Sequence, residues 1–508
     1  METIVISNKK ISYKNFLSFL KGPVKVSISK SSKKRIDKAY THLCSALDAG
    51  TTIYGVNTGF GKLSNISINK GDQERLQINL VKSHTSGIGK PLDLGIVRII
   101  LFLKILTYSK GYSGVSLSLV NRLILYLNKD ILPFIPQKGS VGASGDLAPL
   151  GHMAVTLIGE GKVFYKGKLV QTNTVLKKLR LKPIKLMPKE GLSLINGTQV
   201  CTAIAIKACL DGENILKIAD IAGALSVENS LASRKVFKKN IHLLKEHPGQ
   251  KHSAKNVFAI LSQSQIVSSH SNCGKVQDPY SFRCIPHIHG ACRDTFYGAV
   301  KLIDREINSV SDNPVIMDDG SIMNSGHFHG EHIAHALDMM GISFSEIGAI
   351  SERRCHFFMK GINRGIPPFL AKKPGLESGY MIAHVTATAL VSENKTLSHP
   401  ASVDSLPTSG GQEDIVSMAP WAGYKLFHIQ ENVCNIMAIE MLVAGAANNI
   451  ISKNLNPGKG TAPVLKILNQ HCKYDLGDRP LSSEIRNIVK LIISGDLLSN
   501  VSKSINLE

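Results

Sequence analysis

A glycine-rich segment, KGSVGASGDLAPLGHM at residues 138–153, holds the residue types needed for an unusual internal reaction. At its centre stands the string Ala143-Ser144-Gly145. Glycine alone leaves its backbone nitrogen unhindered enough to fold back onto the carbonyl two residues upstream, and its permissive φ and ψ angles allow that strained approach. Cyclisation of these three residues, with loss of water from the ring and from the Ser144 side chain, would create the electrophile 4-methylideneimidazol-5-one (MIO).

The same segment also fits two simpler interpretations. It could be a glycine-rich turn in which Asp146 caps a helix and Pro149 lies in the first turn of that helix. A phosphate-binding loop fits less well, because the Walker spacing and the strand–GxGxxG–helix context are both missing. Gly89-Lys90 is followed by Pro91, where a phosphate loop needs Ser or Thr.

A second candidate for chemistry is the histidine-dense string HFHGEHIAH at residues 327–335. Its spacing matches neither HExxH nor HxxEH, and His329, Glu331 and His332 would not converge as well as an i, i+4 pair on one helix. We therefore predict no metal in this protein.

The chain is strongly basic, with 60 Lys and Arg against 38 Asp and Glu and a formal net charge of +22. Such a charge raises the hypothesis of a nucleic acid or an anionic membrane as partner. The positive residues, however, form short runs without interleaved aromatics or a groove-reading motif. We predict solvated surface charge and neither a nucleic-acid nor a membrane partner.

Nine widely scattered cysteines include no CxxC pair, a pattern typical of reduced thiols in a cytoplasm. The N-terminus carries no signal-peptide pattern. The apolar stretch from Leu94 to Leu106 contains Arg98 and Lys104, and the stretch from Asn435 to Ile451 contains Glu440. Neither reaches an uninterrupted span of ~18 apolar residues. A cytoplasmic location follows as the prediction.

Long helices should position these residues. Ile96, Ile99, Leu103 and Leu106 are spaced to share one helix face, and similar stripes recur near residues 117–127, 200–226 and 333–350. Residues 381–392 and 435–448 are apolar on nearly all sides, as in helices at a bundle centre or a subunit interface. Only KVFYKGKLV, residues 162–170, predicts a β-hairpin. With 43% apolar residues and no linker, the predicted fold is a mainly α long-helix bundle with a small β-hairpin, undivided over residues 1–508.

Nine strings of the sequence resemble the aromatic amino acid ammonia-lyases, in register over most of the chain. They are YGVNTGFG (54–61), SHTSGIG (83–89), GSVGASGDLAPL (139–150), KEGLSLINGTQ (189–199), VQDPYSFRC (276–284), SDNPV (311–315), SGHFHGE (325–331), MIAHVTATALVSENKTLSHPASVDSLPTS (381–409) and QEDIVSM (412–418). The resemblance implies the fold of that family, an autocatalytic MIO without an external cofactor, and a homotetramer whose active sites combine residues of three subunits.

The resemblance also implies roles for individual residues. Eliminating ammonia from an α-amino acid requires an electrophile for the nitrogen and a base for the weakly acidic β-proton. Tyr54 matches the family's base, and Arg283 matches the arginine that pairs with the substrate carboxylate. Asp146 resembles a residue that assists ring formation. Further matches to the family's catalytic and substrate-binding polar residues are Tyr280, Asn196 and Gln277.

Four positions bear on the substrate. His84 matches a histidine where the phenylalanine-specific relatives carry apolar residues, and Met381 stands where those relatives have lysine. Glu413 follows Gln412, whereas the phenyl-specific and tyrosine-specific relatives show QD. A carboxylate at this position can accept a hydrogen bond from an imidazole N–H. Phe328 would line the same pocket. The resemblance therefore favours conversion of L-histidine to trans-urocanate and ammonia, as the first step of histidine degradation.

The alternative is an MIO enzyme of another specificity, a tyrosine or phenylalanine ammonia-lyase or an aminomutase. Five departures from the family pattern lie close to the assigned residues and could change turnover or substrate range. They are His287, His327, Glu377, Gly411 and Ile415.

Overall fold

The computed structural model describes residues 3–270, 274–361, 365–451, 454–474 and 477–508, and most of them are helical. The long helices are α1 (Lys30–Asp48), α2 (Gln73–Ser83), α3 (Leu94–Ser109), α4 (Leu117–Asn128), α5 (Leu147–Leu157), α6 (Gln199–Asn229), α7 (Pro248–Ile260), α8 (Ile285–Ile307), α9 (Glu331–Met359), α10 (Met381–Leu397), α11 (Ala419–Ile451), α12 (Thr461–His471) and α13 (Ser482–Ile493). The predicted mainly α fold is confirmed, and the stripes near 117–127, 200–226 and 333–350 form α4, α6 and α9.

The short helices join these long ones. They are Leu17–Lys21, Thr172–Lys178, Glu190–Ile195, Lys239–His242, Gln265–Ser268, Tyr280–Arg283 and Asp496–Ser502, with 3-10 turns at Tyr13–Phe16, Gly61–Leu63, Lys70–Asp72, Arg234–Phe237, Pro368–Leu370 and Ser409–Gly411.

The chain forms two compact units, each gathered from separate stretches of sequence. The first unit consists of Met1–Leu210, Val300–Leu337 and Pro400–Tyr424, and the second of Asp211–Ala299, Asp338–His399 and Lys425–Glu508. Because each unit draws on three stretches, no single position in the sequence divides them. The prediction of one undivided lyase domain over residues 1–508 stays a prediction.

The predicted hairpin is present in the first unit, with strands Lys162–Tyr165 and Lys168–Gln171. Its two turn residues, Lys166 and Gly167, have φ of 51° and 75°, the left-handed values that a tight hairpin turn requires. The strand Leu132–Pro133 adds to its edge. Three other small sheets were not predicted, since their strands are too short to show an alternating pattern. They pair Thr3–Ile6 with Lys25–Ile28, Ile88–Pro91 with Pro136–Lys138, and Val315–Ile316 with Ile322–Met323.

Helix α3 lies in the core of the first unit. The sequence predicted one apolar face for it, but every residue from Gly95 to Ser109 is buried. Its two charged side chains are buried with it. Arg98 pairs with Asp130, with Nε 2.7 Å from Oδ1, and Lys104 is only 1% exposed.

The two segments predicted to be apolar on nearly all sides behave differently in the second unit. Residues 436–447, in α11, are buried as expected. Helix α10 is not, because only four of its residues are buried and its apolar Ile382 and Val385 are 61% and 52% exposed. Among the described residues, α11 alone is long and apolar enough to cross a membrane, but 72% of its most apolar 18-residue window is buried within the protein, as in a core helix.

Candidate functional site

A cavity of about 410 Å³ in the first unit brings together six of the predicted site residues, at a size that suits a small molecule. Its lining consists of Tyr54, Gly61, Ser64, Ala143, Ser144, Asn196, Asn313, Asn324, Phe328, His329, Gln412, Glu413, Asp414 and Ile415. These residues lie up to 361 positions apart in the sequence, and loops and helix ends of the first unit present them.

The backbone at Gly145 lies against the backbone at Gly197. Gly145 has a φ of 81°, and a Cβ atom added to it would lie 2.3 Å from the Gly197 carbonyl oxygen. The same carbonyl accepts a hydrogen bond of 2.9 Å from the Asp146 N–H. Only glycine fits such an approach, so the predicted cyclising string Ala143-Ser144-Gly145 is held in a sharp, left-handed turn beside the cavity.

Asp146 precedes α5 as predicted, and Pro149 lies in the first turn of that helix. The predicted side-chain cap is wrong, however, because the Asp146 carboxylate turns to a different helix. It accepts hydrogen bonds of 2.9 Å from the N–H groups of Val200 and Cys201, in the first turn of α6. Complete burial raises the pKa of Asp146 to about 6, although those donors act in the opposite direction.

Glu413 is oriented by hydroxyl groups. Its Oε2 accepts hydrogen bonds from Thr408 Oγ1 at 2.6 Å and from Ser409 Oγ at 2.8 Å. Its Oε1 accepts a short hydrogen bond from the Ser144 hydroxyl. Burial favours the neutral acid, but these three donors and nearby His84 outweigh it and hold the pKa of Glu413 below its usual value.

His84 and Tyr54 are fixed by neighbouring backbone groups. The His84 Nδ1 lies 2.8 Å from the Leu80 carbonyl oxygen, and burial lowers the pKa of His84 although Leu80 and Glu413 act to raise it. The Tyr54 hydroxyl accepts a hydrogen bond of 3.0 Å from the Gly61 N–H.

Asn196 is 3% exposed and begins the turn to Gly197. Its Nδ2 lies 3.5 Å from the Asn313 carbonyl oxygen, and its buried Oδ1 has no hydrogen-bond partner within the described residues. A buried amide oxygen without a partner is costly. At the wall of a cavity, it is available to a donor on a bound molecule.

The other four predicted residues, Gln277, Tyr280, Arg283 and Met381, belong to the second unit. Gln277 and Arg283 line a cavity of about 490 Å³ within that unit. The Arg283 guanidinium stacks 4.6 Å from the centre of the Tyr280 ring, and that ring is 69% exposed. The structure therefore brings the predicted residues into two groups, one in each unit.

Thr408 and Ser409 were missed by the sequence-based prediction. Both belong to a string that resembles the family, and they precede Glu413 by five and four residues. A backbone pairing between Thr408 and Glu413 closes the loop, with Thr408 N 2.8 Å from Glu413 O. Hydroxyl residues next to a candidate carboxylate are a local signal that could have identified them.

Three departures from the family pattern lie in the first unit. Gly411 has a φ of 87°, in the left-handed region that glycine adopts without strain. Ile415 lines the cavity. His327 contacts the Ser325 hydroxyl through its Nδ1.

The other two departures lie in the second unit. Glu377 accepts hydrogen bonds from the backbone N–H groups of Lys372 and Lys373, at 3.0 and 3.2 Å. The His287 ring is tilted by 57° to the His242 ring, with the two ring centres 5.8 Å apart, and burial lowers the pKa of His287.

Two histidines of the histidine-dense string approach Glu331: His335 Nε2 lies 2.9 Å from Oε1, and His329 Nδ1 lies 3.7 Å from Oε2. Over the parts of the chain that the structure describes, no three histidine, cysteine or acidic side chains converge as a metal site would require.

Comparison with known proteins places this geometry in a family. The model of the aromatic amino acid lyases matches residues 11–470. The chain belongs to the aromatic amino acid lyase family. It is 41% identical to the histidine ammonia-lyase of Myxococcus xanthus, over 98% of each chain. The predicted family and enzyme class, a carbon–nitrogen lyase, are confirmed.

Solved structures of the family share the fold. The histidine ammonia-lyase of Trypanosoma cruzi superimposes with a TM-score of 0.90 at 34% identity, over 99% of this chain and 96% of the other. The tyrosine aminomutase of Streptomyces globisporus superimposes with a TM-score of 0.93 at 30% identity, over the whole of both chains.

The contact between Gly145 and Gly197 predicts an unequal response to two glycine substitutions. Gly145→Ala should lower the free energy of unfolding by about 3 kcal/mol or more, because strain at positive φ adds to a clash with backbone. Gly167→Ala is the matched control: its φ of 75° is similar, but nothing lies within 4 Å of the added Cβ. It should cost only about 1 kcal/mol. Urea unfolding measures both; equal losses would contradict the close approach.

Proposed function

We propose that this lyase eliminates ammonia from L-histidine to give trans-urocanate, with MIO formed from Ala143, Ser144 and Gly145 as its electrophile. One observation carries the proposal: the Glu413 carboxylate accepts a hydrogen bond from Ser144, in the cavity that Tyr54 also lines. The hydroxyls of Thr408 and Ser409 hold the carboxylate in this orientation. A group able to bind an imidazole thus faces the residue from which the electrophile would form.

The turn at Gly145 suits MIO formation. Ring closure joins the Gly145 nitrogen to the Ala143 carbonyl carbon with loss of one water, and a second water leaves from the Ser144 side chain. The left-handed φ of Gly145 and its contact with Gly197 favour the compressed backbone that ring closure needs. MIO supplies an electrophile for the substrate's amino group; no external cofactor is part of the proposal.

Tyr54 is proposed as the base that removes the β-proton of the substrate. Tyr54 lines the cavity, and its hydroxyl oxygen accepts a hydrogen bond from the Gly61 N–H, which orients that oxygen. Asn196 offers its unpaired amide oxygen to the substrate, and Phe328 offers an aromatic face at the same wall. Asp146 is proposed to assist ring formation from its position next to Gly145.

Histidine is favoured over other aromatic substrates by Glu413 and His84. The lowered pKa keeps Glu413 ionised, and a charged carboxylate can accept a hydrogen bond from an imidazole N–H, whereas a phenyl ring has no such donor. The structural similarity to a tyrosine aminomutase supports a second candidate function, that of an MIO enzyme that acts on tyrosine or phenylalanine. Substrate profiles separate the two.

A homotetramer is the second part of the proposal. Tyr280 and Arg283 match substrate-binding residues of the family, yet Tyr280 is 69% exposed on the second unit. Met381 begins α10, whose Ile382 and Val385 are also exposed. Exposed apolar side chains beside predicted site residues fit a surface that another copy of the chain covers. In the assembly, these residues would complete a cavity of a different subunit.

A cytoplasmic location is also proposed. The eight cysteines of the described chain are thiols, six of them buried, which suits a reducing compartment.

The first experiment is an absorbance assay of urocanate formation from L-histidine, with tyrosine and phenylalanine in parallel. Wild-type protein should form product with histidine, and Ser144→Ala should form none, because the exocyclic carbon of MIO derives from the Ser144 side chain. Circular dichroism checks that the variant is folded. Product from tyrosine or phenylalanine alone would change the substrate but keep the chemistry; activity in Ser144→Ala would overturn the MIO proposal.

Replacing Glu413 tests substrate recognition. Glu413→Gln keeps the size of the side chain but removes its charge, so kcat/KM for histidine should fall about 10- to 100-fold, the value of a charge-assisted hydrogen bond. Slow turnover of phenylalanine or tyrosine, where measurable, should change much less. An equal loss on every substrate would place Glu413 in the general chemistry and not at the imidazole.

Mixing two inactive variants tests whether the active site is shared. Tyr54→Phe and Tyr280→Phe should each be folded and nearly inactive, because each lacks a catalytic hydroxyl. Co-expression should restore activity, since some sites of a mixed tetramer then combine an intact Tyr54 with an intact Tyr280. Co-expressing Tyr54→Phe with Ser144→Ala is the matched control and should restore none, because both residues line one cavity. Activity that stays absent in the first mixture would refute a shared site.

A further inference from the structure

Lys104 is the least expected side chain near the candidate site. It lies in the apolar helix α3, in which every residue from Gly95 to Ser109 is buried, and is itself only 1% exposed. Burial of an ammonium group is costly, and it lowers the pKa of Lys104 to about 7 even though Asp312 and Asp146 act to raise it. An apolar residue of equal length would avoid this cost, so the charge needs a local explanation.

The hydrogen bonds of Lys104 supply one. Its Nζ donates to the carbonyl oxygens of Ser193 and Asn196, at 2.8 and 2.5 Å. These carbonyls lie at the end of the short helix Glu190–Ile195, where backbone oxygens have lost their helical partners. A cation here also meets the negative end of the helix dipole. Lys104 therefore fixes the position where the chain leaves the helix.

Gly197, which follows the helix end, is in contact with the cyclising turn at Gly145. Asn196 is followed by Gly197, whose carbonyl accepts the Asp146 N–H at 2.9 Å. The Gly145 backbone lies directly against Gly197. A shift of the Asn196 carbonyl would therefore move the surface against which Gly145 is pressed, and would also move the Asn196 side chain at the cavity wall.

A second buried lysine supports the same helix end. Lys189 is fully buried; its Nζ donates to Ser193 Oγ at 2.7 Å and lies 3.3 Å from Asp312 Oδ2. The Tyr108 ring, one turn beyond Lys104, lies 5.6 Å from the Lys104 Nζ. Lys104 therefore donates to backbone carbonyls, whereas the Asp312 carboxylate pairs with Lys189.

We propose that Lys104 is a positioning residue for formation of the MIO ring, through the chain Lys104–Asn196–Gly197–Gly145. It touches neither substrate nor reacting atoms. Its two hydrogen bonds hold the 196–197 turn in place, and that turn holds Gly145 in the compressed conformation from which the ring closes. This inference rests on the proposed MIO chemistry, which the wild-type protein tests separately.

The experiment compares Lys104→Met with Lys110→Met. Methionine matches lysine in length but has neither the charge nor the donors. Lys110 is the matched control, since it ends the same helix and its Nζ donates to the backbone carbonyl of Asn308, away from the turn. Intact mass of freshly purified protein over time shows the fraction that has lost two water molecules, while circular dichroism and thermal melting report folding.

Wild type and Lys110→Met should lose both waters to the same extent. Lys104→Met should fold yet lose them about 10- to 100-fold more slowly, the effect of removing charge-assisted hydrogen bonds. Maturation of Lys104→Met at the wild-type rate would overturn the inference. So would a variant that fails to fold, because Lys104 would then serve the fold as a whole. Wild-type protein that never loses water would instead overturn the proposed function.

Discussion

The approach of Gly145 to Gly197 is the constraint on which the first unit's site depends. A Cβ atom at Gly145 would meet the Gly197 backbone, and one at Gly197 would meet the Ser311 carbonyl oxygen, so neither position has room for a side chain. The Asp146 N–H closes the contact on the Gly197 carbonyl. The contact joins the starts of α5 and α6, because the Asp146 carboxylate then reaches the free N–H groups of α6. One short segment of backbone therefore fixes the positions of the cavity wall, the cyclising string and two helix ends.

Buried charge has different uses in the two units. In the second unit, Arg354 and Glu440 are fully buried and form an ion pair, with Nη2 2.9 Å from Oε2. The pair joins α9 to α11, and each charge neutralises the other. In the first unit, Lys189 engages Asp312, and Lys104 is left to bind backbone carbonyls. An ammonium without a carboxylate in direct contact costs more free energy than a closed pair. This unfavourable burial occurs next to the 196–197 turn, whose position the proposed ring closure depends on.

Apolar spacing and turn residues predicted the local elements, and the family resemblance named six residues that line one cavity although they lie far apart in the sequence. The hydrogen-bond partners of the predicted site residues were not predicted, neither the nearby Thr408 and Ser409 nor the distant partners of Asp146. The helices follow from apolar spacing, and the hairpin at Lys166-Gly167 follows from its turn residues. The cyclising string could be recognised because its chemistry needs three consecutive residues. The helix that Asp146 caps could not be predicted, since its partners lie over fifty residues away and no periodicity connects them. The sequence did not decide between a bundle centre and a subunit interface for α10, because an apolar helix has the same sequence pattern in a core as on a surface that another chain covers.

The groups proposed to make the electrophile lie together in one unit, whereas the groups proposed to use it are divided between the two. All the groups proposed to form and support the ring lie in the first unit, from Lys104 through Asn196 to the 143–146 string. The groups proposed to act on the substrate are divided: Tyr54 and Glu413 lie in the first unit, whereas Tyr280 and Arg283, the residue proposed to bind the substrate carboxylate, lie in the second. On the proposed assembly, ring formation depends on the packing of one folded chain, whereas turnover depends on contact with another. The electrophile would then be ready before the site is complete, and it could meet an oriented substrate only where subunits join.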